Sequence, residues 1–147
     1  CRQKARPYLF SNTMPPVVVA GVLKVLDILT RDTEQRDKLQ ANAAYWRHGL
    51  SEMGFLLREG DTPIVPVMLF NARLARDMAR DLFEEGVYAV GFSFPVVPRG
   101  AARIRTQISA AHERSHLDQA LEAFRKVGMK YQILGRSRQD IIEMYGQ

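Results

Sequence analysis

An α/β fold of the α+β kind is what this 147-residue sequence predicts: a small, mostly antiparallel sheet with helices on one face, preceded by two long helices. Three observations predict it. Long segments repeat apolar residues every three or four positions, the period of an amphipathic helix. The segment Ala102 to Ile108 instead alternates residue by residue, the period of a strand with one face in a core. After residue 55 the order reads strand, strand, helix, strand, strand, helix, which suits a meandering sheet backed by helices.

The elements follow in order. Cys1 to Asn12 lacks periodicity, and SNTMPP then supplies a polar cap and prolines that a first helical turn accepts. A helix is expected from about Pro15 to Thr30, its residues Val18, Val22, Val25, Leu26 and Leu29 dense enough for burial on more than one side. Asp32 or Thr33 can cap a second helix, whose stripe Leu39, Ala43, Trp46, Leu50 and Met53 runs to Gly54 and reads as core packing. Phe55 to Arg58 reads as a short strand and Ile64 to Phe70 as a more buried one, with Pro66 placing it at an edge or a bulge. Asn71 caps a third helix carrying Leu74, Met78 and Leu82, which Gly86 ends. Val87 to Val90 and then the alternating segment give two strands. Ser115 opens a helix with Leu117, Ala120, Leu121, Phe124 and Val127 inward, and Ser137 to Tyr145 forms a short last helix. A domain boundary near residue 50 divides 1–50, the end of a larger domain with bridging helices, from a small domain over 51–147.

Composition narrows the function classes. The formal charge of +5 is spread along the chain and interleaved with acids such as Asp77, Asp81, Glu84 and Glu85, which argues against a nucleic-acid-binding face. A lone cysteine, Cys1, excludes an intrachain disulfide, and without a Cys/His cluster the usual zinc patterns are missing. No apolar run approaches the roughly 20 residues a membrane helix needs, so no membrane role is expected. The opening CRQKARPYLF reads as the middle of something longer, so a fragment is expected.

Chemistry concentrates in Gly91 to His112, GFSFPVVPRGAARIRTQISAAH. Pro95 and Pro98 stiffen an approach that turns at Gly100 into the alternating strand. There Ala102, Ile104, Thr106 and Ile108 share one face while Arg103, Arg105 and Gln107 share the other. A guanidinium on a rigid strand suits bidentate capture of a carboxylate or phosphate, although a wet basic face would alternate in the same way.

The segment as a whole resembles the C-terminal signature of the α-oxoamine synthases, pyridoxal-phosphate enzymes of the aspartate aminotransferase type, known as fold type I. The likeness is greatest to those members that join glycine and acetyl-CoA. The aminolevulinate and 8-amino-7-oxononanoate synthases keep the PxxPxGxxRxR frame but usually differ around it. PYLFSNTMPP likewise resembles the family's PYLFSN segment.

The resemblance implies several roles. Arg105, the second arginine of the strand, would bind the carboxylate of the amino-acid substrate, with Arg103, about 6 to 7 Å along the strand, structural or surface-paired. Ser11 and Asn12, which as an isolated SNT would be an N-cap, would reach the pyridoxal phosphate of a partner subunit, so the site would be shared across a homodimer. His112 fits the pattern and reads as a structural cap, while His48 and His116 have no evident partner. Lys4, Lys24, Lys38, Lys126 and Lys130 lie outside any motif for a cofactor lysine. That lysine, the pyridine-nitrogen aspartate and the ring-stacking residue are implied to precede Cys1, and this chain alone is expected to be inactive. A bacterial parent would be cytoplasmic and a eukaryotic one mitochondrial, a choice that this segment leaves open.

Overall fold

The structure, a computed structural model, describes Lys4 and residues 14–146. Ser11 and Asn12 lie outside the described residues. The chain divides into two compact units, Cys1–Glu34 and Gln35–Gln147.

In the first unit, α1 spans Pro16–Arg31, with Pro15 as its N-cap and Pro16 in its first turn, where a missing N–H costs nothing. Asp27 ties it along one side, pairing with Lys24 at 3.2 Å and Arg31 at 2.7 Å. None of its residues is buried, although burial on more than one side was expected from the density of apolar positions. Among the described residues of this unit no second layer supplies the cover. Asp32 Oδ1 accepts from the Glu34 N–H at 2.8 Å and starts the next helix, as its sequence position predicts.

The second unit holds the sheet. Helix α2, Glu34–Glu52, buries Ala43, Trp46 and Leu50 from the expected stripe. Strand β1, Ile64–Phe70, buries Val65, Val67 and Leu69 completely. Helix α3, Ala72–Glu84, begins where Asn71 Oδ1 accepts from the Leu74 N–H at 2.8 Å. Strands β2, Val90–Phe92, and β3, Ala102–Gln107, then precede α4, Arg114–Lys130, and α5, Arg138–Tyr145. The sheet order is β1-β3-β2 and both pairings are antiparallel. The predicted fold class therefore holds. One core joins the inner face of the sheet to residues of α2, α3, α4 and α5, with Trp46, Phe55 and Phe124 meeting edge to face.

Two strands differ from expectation. Phe55 to Arg58 pairs with β1 only through a bridge between Leu57 and Val67, flanked by hydrogen bonds from Met68 N–H to Leu56 O and from Arg58 N–H to Pro66 O. Pro66, with no N–H to donate, lies in an edge strand of the three-stranded sheet. The next strand starts at Val90 instead of Val87. Its placement depends on Gly91, where an added Cβ would stand 2.7 Å from the Ala75 carbonyl oxygen. Only glycine lets β2 approach α3 this closely, so the pairing centres there.

The last helix, whose role is unreadable in the sequence, closes the core. Ser137 and Asp140 form a capping box at its start, and Ile141 is buried. Asn71 Nδ2 donates to Tyr145 O at 2.8 Å, so one asparagine caps α3 and holds the end of α5. No described helix is long and apolar enough to cross a membrane.

Candidate functional site

The site begins with what anchors β3. Ala102, Ile104 and Thr106 are buried, whereas Arg105 and Gln107 are exposed and Arg103 is half-buried, as the alternation requires. Thr106 fixes the strand from the inside: its hydroxyl accepts from Trp46 Nε1 at 2.8 Å and donates to Val65 O at 2.7 Å. Buried polar groups satisfied at both ends tie α2, β3 and β1 into one register. Before the strand, Gly100 takes φ +71°, a conformation other residues adopt at a cost, and this turns the chain out of the proline-rich loop.

On the opposite face, Arg105 stands across from Val90 of β2 and Pro66 of β1. Its guanidinium carbon lies 4.4 Å from the centre of the Phe92 ring. Most of the described arginines that make ionic contacts do so along helices, as do Arg80 with Asp81 at 3.0 Å and Arg125 with Glu122. Arg105 has no carboxylate partner among the described residues, and nor does Arg103, which was expected to be structural or surface-paired. The third arginine of the segment, Arg99, lies 4.4 Å from the Phe94 ring centre.

Arg105 also helps line a cleft of about 550 Å³ with Gln107, His112, His116 and residues of the Val87–Val90 segment, over a floor that includes Trp46. The two imidazoles are positioned by backbone. His112 Nδ1 accepts from Ser109 N–H at 3.2 Å, and His116 Nδ1 accepts from Glu113 N–H at 3.2 Å. His112 therefore closes a turn with Ser109 ahead of α4 instead of capping the helix, whose cap is Glu113 with His116, and Asn42 Nδ2 bonds its carbonyl at 2.8 Å. His116, which lacked an evident partner in the sequence, closes the first turn of α4.

Four of the five lysines are engaged elsewhere. Lys24 pairs with Asp27, Lys38 with Glu113 at 2.6 Å, Lys126 with Glu85 at 2.5 Å, and Lys130 with Asp81 at 2.7 Å. The last pair belongs to a cluster joining α3 to the end of α4. Asp81 accepts from Lys130, Tyr131 and Arg80, and these partners, Lys130 foremost, hold its carboxyl down to about 2 against the opposing effect of burial. Burial, with Asp81 beside it, pushes the Tyr131 hydroxyl up to about 12, so it remains a donor at neutral pH. This cluster is a staple between helices, formed by residues far from the arginine strand in sequence. No group of three or more His, Cys, Asp or Glu that could hold a metal occurs among the described residues.

The structure thus bears on one of the three predicted site residues, Arg105, and adds Phe92 beside it. Phe92 carries no distinguishing signal in the sequence, since its contact with Arg105 depends on the β2–β3 register across a nine-residue loop.

Comparison with known proteins places the chain in a family. Residues 1–124 match the family described as aminotransferase class I and II. Over 133 residues the chain is 47% identical to the 2-amino-3-ketobutyrate coenzyme A ligase of Escherichia coli K12, covering 90% of this chain and 33% of that protein. Over 133 residues it is 45% identical to the 8-amino-7-oxononanoate synthase of Fervidobacterium nodosum, covering 90% and 34%. A solved serine palmitoyltransferase from S. paucimobilis, with a bound PLP-myriocin aldimine, superposes with a TM-score of 0.83 at 32% identity, over 90% of this chain and 34% of that one. The chain spans about a third of the length of these relatives. Because the match from residue 1 to residue 124 takes in α1, α2, the whole sheet and most of α4, the chain belongs to the class I and II aminotransferase family.

Proposed function

We propose that the chain is the C-terminal part of a homodimeric, pyridoxal-phosphate-dependent acyltransferase that condenses glycine with acetyl-CoA to give 2-amino-3-oxobutanoate and CoA, run in reverse during threonine breakdown. The observation that carries this reading is an arginine without an ionic partner among the described residues, Arg105, on the strand of the family's signature in a chain 47% identical to a 2-amino-3-ketobutyrate coenzyme A ligase. In the condensation a Cα–H bond of glycine breaks, a carbon–carbon bond forms to the acetyl carbonyl, the thioester C–S bond breaks, and CoA leaves as its thiol. Pyridoxal phosphate supplies the electron sink for the pair left by the departing proton.

The residues of this chain have a different task. Arg105 would take the glycine carboxylate through its N–H fork and so fix the orientation of the Cα bonds. Ser11 and Asn12 would donate to the cofactor phosphate bound in the partner subunit, near the start of α1, where backbone donors favour an anion. Four of the five lysines, Lys24, Lys38, Lys126 and Lys130, are ion-paired, which supports reading the described residues as the substrate end of such a site. The family resemblance implies that none of this chain's lysines is the cofactor lysine, and the chain alone is expected to be inactive. The division at residue 50, into the end of a large domain and a small one, is part of the same proposal.

A second α-oxoamine synthase reading, with a different acyl-CoA, is favoured by one observation, the 45% identity to an 8-amino-7-oxononanoate synthase. Replacing Arg105 by Leu in the full-length enzyme separates substrate binding from acyl choice. The glycine KM is expected to rise about 10- to 100-fold, the scale of a lost charge-assisted hydrogen-bond pair, while the acetyl-CoA KM stays within twofold. An equal change in both would move the carboxylate role elsewhere. Turnover with a longer acyl-CoA in preference to acetyl-CoA would favour the second reading.

A further inference from the structure

A guanidinium in water ordinarily recruits a carboxylate, and an arginine so paired has spent donors and charge that a substrate would need. Arg105 avoids this. Its contact among the described residues is the Phe92 ring, 4.4 Å from the guanidinium carbon. A ring face attracts a cation through its quadrupole yet presents no lone pair to an N–H. Such support therefore holds the group while leaving its five donors uncommitted.

The fold places the ring there for local reasons. Val90 lies opposite Arg105 and Phe92 opposite Arg103, so Phe92 is the diagonal neighbour of Arg105 on the outer face, a separation that aromatic and long side chains bridge. Gly91 between them faces inward against the Ala75 backbone, with no room for a Cβ. That close approach fixes β2, and the pleat then turns Phe92 outward.

We propose that Phe92 is a positioning residue for substrate: it holds the Arg105 guanidinium on the sheet face, unpaired and preset for the carboxylate of the amino-acid substrate. This rests on the reading of Arg105 as the carboxylate-binding residue.

The test uses the full-length holoenzyme with Phe92→Leu, which keeps apolar bulk without a ring face, and Phe92→Tyr, which keeps the face. Arg105→Leu serves as reference. For Phe92→Leu the glycine KM, and the glycine Kd from calorimetry, are expected to rise about three- to thirtyfold, the range of a cation–ring contact. The acetyl-CoA KM and the Kd of glycinamide, which lacks the carboxylate, are expected to stay within twofold. Phe92→Tyr should restore glycine binding to within about twofold of the parent.

Three results would overturn the proposal, each for its own reason. If Arg105→Leu weakens glycine and Phe92→Leu does not, the positioning role fails while the carboxylate role stands. If Arg105→Leu leaves glycine binding unchanged, the reading beneath the proposal fails, and the proposal with it. If Phe92→Leu shifts glycine, glycinamide and acetyl-CoA alike, or Phe92→Tyr fails to rescue, the ring is structural only.

Discussion

At the residue scale, Asp81 shows how a buried charge becomes a pH dependence. Its side chain is only 6% exposed and is met by Lys130, Arg80 and the Tyr131 hydroxyl, which bring its carboxyl from an ordinary 3.8 to about 2. A carboxyl depressed on folding contributes stability that is present above its unfolded value and lost as pH falls through the folded one. On the order of 1–2 kcal/mol should therefore disappear between about pH 4 and pH 2. Urea unfolding at pH 7, 4 and 2.5 checks this. Asp81→Asn should be less stable at pH 7 and show a shallower decline, and a decline as steep as the parent's would place the acid sensitivity in other groups. The sequence showed Asp81 only as one of several acids interleaved with bases, because the lysine and tyrosine that matter lie 49 and 50 residues away.

At the element scale, β2 is short and depends on a single missing side chain. Gly91→Ala would place a Cβ 2.7 Å from the Ala75 oxygen and 3.0 Å from its carbonyl carbon, so strand or helix must move. Overpacking of this kind costs about 1–3 kcal/mol, measurable as a lower denaturant midpoint. On the proposed function, because β2 carries Phe92, the same variant should also weaken glycine binding in the full-length enzyme, and normal glycine affinity would show that the strand shifts without disturbing Arg105. The element boundaries were partly legible beforehand. Ala102 to Gln107 carries its alternation in its own residues, Ile64 to Phe70 reads as a buried strand by its unbroken apolar run, and Asn71 and Ser137 announce helix starts by cap chemistry. Phe55 to Arg58 reads as strand by composition, yet it pairs through one bridge, since strand length depends on the neighbour's available hydrogen bonds.

For the whole molecule, the formal charge of +5 is less available than its size implies. Lys38, Arg80, Arg125, Lys126 and Lys130 each face a carboxylate within 4.0 Å, which disperses the positive potential. Binding to duplex DNA is therefore expected to be negligible at both 50 and 200 mM salt in fluorescence anisotropy. A measurable affinity that fell steeply between those concentrations would identify a counterion-releasing surface instead. The helix α1 exposes Val17, Val22, Leu23, Leu26 and Leu29, a composition suited to burial within a larger structure, in keeping with a chain that spans about a third of its relatives' length.

By itself the sequence determined which faces are apolar. The helical stripes, the central strand with its arginines outward, and the PxxPxGxxRxR frame are written in residues close together along the chain, so periodicity and local chemistry suffice to read them. Tertiary structure decided what each face meets. The ring beneath Arg105, the shift of β2 to Val90, the Asp81 cluster and the closure of the core by α5 all join residues at least a loop apart. Their positions follow from strand register and close packing, which no local pattern records.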